Sequence, residues 1–419
     1  MRSDLRYRQV HLDFHTSEHI PDVGADFDPA QFATALKTGN VDSVTVFARC
    51  HHGWAYYPSK ICKPHPNLRR NLLGEMVEAC RKHDINVPIY TTVQWDERMA
   101  REHPEWRIMP PPDDASNAGR NQLAARWHTL CLSNTDYVTY VRDHCLEIME
   151  LFSPDGLFLD IHLIWECVCP NCLAKMAADG RDPESREDRR DNHRELVYAF
   201  YKTIADAVRE RDPDMRVFFN SGHIERGRRE KLPYFSHLEL ESLPTGGWGY
   251  DHFPLSARYV NTLGIEYLGM TGKFHTSWGE FGGFKRPVAL EYECMQMVSL
   301  GARCSVGDQL HPRGDMDMST YREIAPAYRR VREIEEFLPG REPLSEVALL
   351  SVEAVTGSRK EGEEPDAGAN QMLSEMHVIF DIVDTEADVG RYKVLVLPDC
   401  ITLEGDLLAK VRTFLDRGG

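Results

Sequence analysis

The apolar run Gly156-Leu157-Phe158-Leu159 ends in a lone carboxylate, Asp160. At the end of a buried strand such a group is a candidate nucleophile. A retaining glycosidase pairs it with a second carboxyl about 5–5.5 Å away, which protonates the leaving oxygen and then activates water. His237-Leu238-Glu239-Leu240-Glu241 offers that partner. Alternation along a strand puts His237, Glu239 and Glu241 on one face, with Glu241 nearest the C-terminal end; Glu241 is therefore preferred and Glu239 kept as the alternative. Either glutamate could instead be half of an ion pair inside the fold. Glu280 is a third candidate, because it follows the seventh predicted strand within the glycine-rich stretch 275–283.

His15, His51, His52, His162 and Asn220 all follow predicted strands and could hydrogen-bond sugar hydroxyls. Trp54, Trp95, Trp165, Trp248 and Trp278 offer flat apolar faces to the C–H side of a pyranose. A single tryptophan is more often core, but five of the seven fall just after predicted strands, which favours a binding cleft. Two other readings compete. His11, Asp13 and His15 share one strand face and, with His51, His52, His223 and Asp308, could form a barrel metallohydrolase of amide or phosphate esters. Alternatively, a sugar-binding barrel without catalysis would lose nothing on replacement of Asp160. Cys167-Val168-Cys169-Pro170-Asn171-Cys172, with Cys131, supplies four thiols suited to a structural zinc, or else reduced thiols at a helix start. Four sulfur ligands leave no open position, so zinc would brace the loop and catalysis would need no cofactor.

Short β-branched and aromatic runs at 10–14, 43–48, 87–92, 156–160, 216–220, 237–243, 266–271 and 302–306 alternate with helical patterns, for example at 71–83, 136–151, 192–211 and 289–300. Eight such units predict a (β/α)8 TIM barrel over 1–340, with its chemistry where strands end. Residues 341–419 predict the start of a doubly wound, flavodoxin-like α/β domain, with strands at 347–351 and 394–398 and helices near 370–383 and 406–416. The unit reads as cut short after Gly418-Gly419, and 357–370, polar and glycine-rich, reads as a mobile loop. The 419 residues carry 49 Lys+Arg against 66 Asp+Glu, a formal charge of −17 that disfavours nucleic acid and anionic membranes. With 42% hydrophobic residues, no apolar run of about 18 residues and no signal-peptide core, the expectation is a globular cytoplasmic protein that does not bind membranes. Eleven cysteines, an odd number, argue against a disulfide framework.

Val46-Phe47-Ala48-Arg49-Cys50-His51-His52-Gly53-Trp54-Ala55-Tyr56-Tyr57-Pro58-Ser59-Lys60 closely resembles the strand-two signature of the α-L-fucosidases, a Lys-His-His-Asp-Gly-Phe run followed by Pro-Ser-Lys. It departs from that signature at Arg49-Cys50 and lacks the aspartate before Gly53. Ile89-Tyr90-Thr91-Thr92-Val93-Gln94-Trp95 looks like strand three of that family, and Leu157-Phe158-Leu159-Asp160 like the strand bearing its nucleophile. Glu241 followed by Trp248-Gly249-Tyr250 is similar to the acid/base segment, although the spacing suits Glu239 better. The resemblance covers about 8–335. It implies a retaining exo-acting α-L-fucosidase on a carbohydrate or glycoconjugate, with Asp160 as nucleophile and Glu241 or Glu239 as acid/base; a β-galactosidase-like glycosidase is the near alternative. The second unit resembles the trimerisation domain that follows the barrel in certain β-galactosidases, which carry a similar cysteine knot. It implies a homo-oligomer, a trimer in the first instance.

Overall fold

The computed structural model describes residues 5–112 and 127–419. Eight strands, β1 (Arg8–Asp13), β2 (Ser43–Arg49), β3 (Pro88–Thr92), β4 (Gly156–Asp160), β5 (Arg216–Asn220), β6 (Leu238–Glu241), β7 (Tyr267–Gly272) and β8 (Arg303–Gln309), are joined by helical crossovers. Every ladder is parallel, and the hydrogen-bonded order is β5-β4-β3-β2-β1-β8-β7-β6. The result is a TIM-like barrel whose one seam without a ladder lies between β5 and β6. Strands covered on both faces carry near-continuous apolar runs, which is why β2 and β4 are buried at every residue. The crossover helix Thr135–Phe152 shows the complementary pattern, burying Tyr137, Val141, Cys145, Ile148 and Phe152 on one side. Across the seam, the Ser236 amide donates to Val217 O at 3.0 Å near the base, and Ser236 Oγ accepts from the Val217 amide at 2.8 Å.

After the barrel, β9 (Val347–Leu350), β10 (Phe380–Val383) and β11 (Val394–Val396) form a second parallel sheet in the order β10-β9-β11. Two expectations fail here. The stretch 357–370 is not a loop but most of the helix Arg359–Glu375, and the predicted helix near 370–383 runs into strand β10. That helix lacks a continuous apolar stripe and is held by polar docking instead. Asp366 accepts from the Val352 amide at 2.7 Å and from Ser351 Oγ at 2.7 Å, and Gly362 packs where a Cβ would stand 2.5 Å from the Glu353 amide.

The two units share a polar interface. Arg229 donates twice to the buried Asp384, at 2.6 and 2.7 Å, and the Tyr259 hydroxyl adds a third bond at 2.8 Å. Arg226 pairs with Glu353 at 2.6 Å and donates to Ser351 Oγ at 3.0 Å. Leu349, Phe380 and Ile382 of the second sheet extend the barrel's own core. Among the described residues no helix is long and apolar enough to cross a membrane.

Candidate active site

Asp160 ends β4 inside the barrel mouth, and each of its oxygens has fixed partners. Oδ2 accepts from the Tyr90 hydroxyl at 2.7 Å; Oδ1 accepts from Asn220 Nδ2 and from the Ile161 amide, both at 2.9 Å. Glu241 ends β6 on the far side of the seam. Its Oε1 accepts from the Trp278 indole N–H at 2.8 Å, and its Oε2 from the same Asn220 Nδ2 at 3.2 Å. Because one nitrogen makes both bonds, Asp160 Oδ1 and Glu241 Oε2 lie no further apart than the two lengths together, about 6 Å, which fits the spacing of a retaining carboxyl pair. Burial raises the pKa of the Asp160 carboxyl in spite of the Tyr90 and Asn220 bonds. Desolvation also raises Glu241, the Trp278 bond opposes it, and the neighbouring Asp160 charge adds to the rise.

The residue after Asp160 decides what else reaches the cleft. Ile161 has φ of 68°, a left-handed conformation costly for a β-branched residue, and its amide turns to Asn220 O at 3.1 Å while also reaching Asp160. The turn breaks the alternation that would have pointed His162 inward. His162 lies instead behind the sheet, its Nδ1 3.2 Å from Asn220 O and its ring among Phe200, Tyr201 and Phe219.

The histidine wall is formed by His15 and His51, stacked with centroids 4.0 Å apart. His15 Nε2 lies 3.0 Å from Asp13, and its Nδ1 accepts from the His51 amide at 3.1 Å. His51 Nδ1 lies 2.7 Å from Thr92 Oγ1, which gives its own proton to Trp95 O at 2.6 Å. His51 must therefore donate from Nδ1, leaving Nε2 as a bare acceptor 3.7 Å from Asp160 Oδ2. Burial keeps His51 neutral, its pKa well below the ordinary range. His52, Trp95 and Trp127 continue the wall, with Trp127 4.6 Å from His52 and 5.4 Å from His51 and Trp95 5.0 Å from His51, centroid to centroid.

Several sequence candidates lie elsewhere. Glu239 is two residues deeper than Glu241, where Gln9 Nε2 donates to it at 3.2 Å and His237 lies 3.3 Å away, so it belongs to the polar plug of the barrel interior. Glu280 folds back on its own loop, accepting from the Thr276 amide at 2.6 Å and hydroxyl at 2.7 Å. Trp54 turns to Glu18, His65 and Arg98. Trp248 stands on the rim beside His252. The proposed metallohydrolase cluster does not assemble. His11 is ringed by Phe47, Tyr90, Phe158 and Trp278, which desolvate it and bring its pKa to about 4, while Asp308 turns to the Tyr321 helix and His223 to Glu353.

Among the described residues, the group of three or more His, Cys, Asp or Glu side chains placed to share an ion is Cys131, Cys167, Cys169 and Cys172, all buried, with ligand atoms within 4.8 Å of one another. Thiol hydrogen bonds from Cys167, Cys169 and Cys172 hold Cys131 well below the usual thiol range. Ser133 Oγ donates to Cys131 Sγ at 3.2 Å. The donor set and its closeness fit a four-sulfur site.

The sequence reading did not single out Tyr90, Thr92 or Trp127, and marked Gln309 only as one of the polar residues that end a strand. Tyr90 and Thr92 alternate on one face of β3, which was the available signal. Gln309 ends β8 in register with Asp13; its side chain is buried with neither amide atom bonded among the described residues. Trp127 follows no strand, so nothing marked it.

A family model described as hypothetical glycosyl hydrolase 6 matches residues 28–161. Among solved structures, α-L-fucosidase isoenzyme 2 from Paenibacillus thiaminolyticus aligns with 99% of this chain at 48% identity and TM-score 0.94; the chain spans 63% of that protein's length. The β-galactosidases of Bacillus circulans sp. alkalophilus (TM-score 0.71, 13% identity, 97% of this chain and 70% of that one) and of the psychrophilic Marinomonas ef1 (0.69, 14%, 97% and 74%) share the fold. A search of curated proteins returned no match. Over nearly its whole length this chain is similar to that α-L-fucosidase, in sequence as well as in fold.

Proposed function

We propose that the protein is a retaining exo-α-L-fucosidase, and the observation that carries this reading is the single Asn220 nitrogen bridging Asp160 and Glu241. Asp160 attacks the anomeric carbon while Glu241 gives its proton to the glycosidic oxygen, the C1–O bond breaks, and a glycosyl ester forms on Asp160. Tyr90, Asn220 and the Ile161 amide hold the attacking carboxylate in place. Once Asp160 is esterified its charge is gone, so the repulsion that favoured the protonated form of Glu241 is removed. Glu241 then accepts a proton from the water that releases the sugar. The bare Nε2 of His51 accepts a sugar hydroxyl, and the Trp95–Trp127 face covers the ring.

The test is turnover of an aryl α-L-fucoside beside an aryl β-D-galactoside. Asp160→Asn is expected to lower kcat by about 10³-fold or more, and Glu241→Gly with azide to give fucosyl azide of retained configuration. Inverted azide, or an Asp160→Asn enzyme of full activity, would overturn the assignment.

We further propose that residues 1–340 form the catalytic barrel and 341–419 an oligomerisation unit. Cys131, Cys167, Cys169 and Cys172 would hold a structural zinc, which when bound braces the loop that follows Asp160. Elemental analysis should find about one zinc per chain, lost in Cys169→Ser together with thermal stability rather than with the chemistry itself.

A further inference from the structure

Trp278 stands on the loop between β7 and the helix Pro287–Ser299, and that loop is built to hold its ring still. The two ends of the loop are joined where the Lys285 amide donates to Lys273 O at 2.8 Å. Lys285 Nζ adds bonds to Thr271 Oγ1 at 2.9 Å and to Glu293 Oε2 at 2.8 Å, and all three of these side chains are buried. Glu280 closes the turn through its bonds to Thr276. The indole then packs edge-on against His11 and Phe274, with centroids 5.3 and 5.1 Å away. It also lies on the backbone of β8, where a Cβ on Gly307 would fall 2.4 Å from Trp278 Cη2. Only a glycine leaves the ring that place.

So seated, the indole aims its N–H at one atom, Glu241 Oε1, 2.8 Å away. An indole nitrogen donates and never accepts, and Asn220 Nδ2, 3.2 Å from Oε2, is a donor as well. A protonated carboxyl keeps one good accepting oxygen, and the oxygen that carries the proton accepts poorly. The shorter bond therefore marks Oε1 as the accepting oxygen, and the proton belongs on Oε2, which shares the Asn220 nitrogen with Asp160. Desolvation raises the Glu241 pKa, and the indole bond is the strongest pull against it.

We propose that Trp278 is a positioning residue for the acid/base: its N–H pins Glu241 Oε1 and so presents the transferable proton on Oε2, on the side of Asp160. This rests on the fucosidase reading above. In the first half-reaction the Oε2–H bond breaks toward the glycosidic oxygen, which also takes the electron pair of the C1–O bond. The flat face of Trp278, which the sequence offered to a sugar, is secondary to its polar edge.

The experiment compares phenyl α-L-fucoside, whose leaving group needs the proton, with p-nitrophenyl α-L-fucoside, whose leaving group departs with little help. In Trp278→Phe the loss of kcat/KM on the phenyl substrate should exceed the loss on the p-nitrophenyl substrate by about 10-fold or more. A donor favours the charged carboxylate, so its removal raises the acid's pKa, and the basic limb of the pH profile should move up by about one pH unit. In Trp278→His the imidazole Nε2–H takes the place of the indole N–H without the benzene ring, and both the limb and the ratio should return toward wild type. Gly307→Ala, which crowds the ring and leaves the indole in the chain, should give the same selective loss as Trp278→Phe. Tm of each variant checks its fold. Equal loss on both substrates with the limb unmoved, the mark of a sugar platform or of a merely structural ring, would overturn the proposal, as would no loss on either or a Trp278→His enzyme no better than Trp278→Phe. A wild type inert toward both fucosides would instead remove the fucosidase reading, and the positioning role with it.

Discussion

At the scale of single residues, the site is made by depth as much as by side-chain type. Glu239 and Glu241 have the same chemistry and share a strand face, yet one is bonded into the barrel plug and the other shares the Asn220 amide with Asp160. A period of two assigns the face, position along the strand favoured Glu241 in the sequence, and Glu241 does stand at the mouth with Glu239 two residues deeper. His162 shows the limit of such a reading. Its inward placement depended on unbroken alternation, and a left-handed isoleucine, which no propensity favours, reversed it. Asp308 was drawn into a metal cluster by composition alone; burial raises its pKa to about 6, against the pull of Lys273. A carboxyl whose folded pKa exceeds its unfolded value of about 3.9 adds stability below that value, and the contribution is lost as pH rises through 6. Asp308→Asn should therefore be more stable than wild type at pH 7.5, by up to about 3 kcal/mol, and no more stable near pH 4, as read by urea unfolding at the two pH values.

At the scale of elements, the loop after β2 is built around a buried ion pair. Arg49 and Asp96 bond to each other with no exposed side-chain surface, and Asp96 also caps the helix Glu97–Glu102 by accepting from the Met99 amide at 3.0 Å. The departure from the fucosidase signature at Arg49-Cys50 thus carries a structural role of its own, through Arg49. Gly53, which follows the histidine pair, has φ of 85°, and a Cβ there would fall 2.2 Å from Asp96 Oδ1. Gly53→Ala should cost about 2–4 kcal/mol in chemical denaturation and lower kcat/KM with it, because the same loop carries His51 and His52. The strands were legible because burial on both faces writes itself as apolar runs; β4 and β5 fall on the predicted residues. The helix Arg359–Glu375 was not, because what holds it is chiefly the buried Asp366 and Asn370 and the close-packed Gly362 rather than a continuous apolar stripe.

At the scale of the whole molecule, the second unit is tied to the barrel by charges that need one another. Asp384 accepts from Arg229, Tyr259 and the amides of Glu386 and Ala387. Asp384→Ala should cost about 2–4 kcal/mol and split a single calorimetric transition into two, the second unit melting first. The seam between β5 and β6 has the last consequence. With no ladder, it is stitched near the base by Ser236 to Val217 and at the mouth by Asn220 to Glu241, and the two carboxyls stand on opposite banks. The gap between them is thus gauged by one amide side chain rather than by backbone spacing. Such a gauge is adjustable: one side chain, rather than the sheet, sets how wide the opening between the two carboxyls stands.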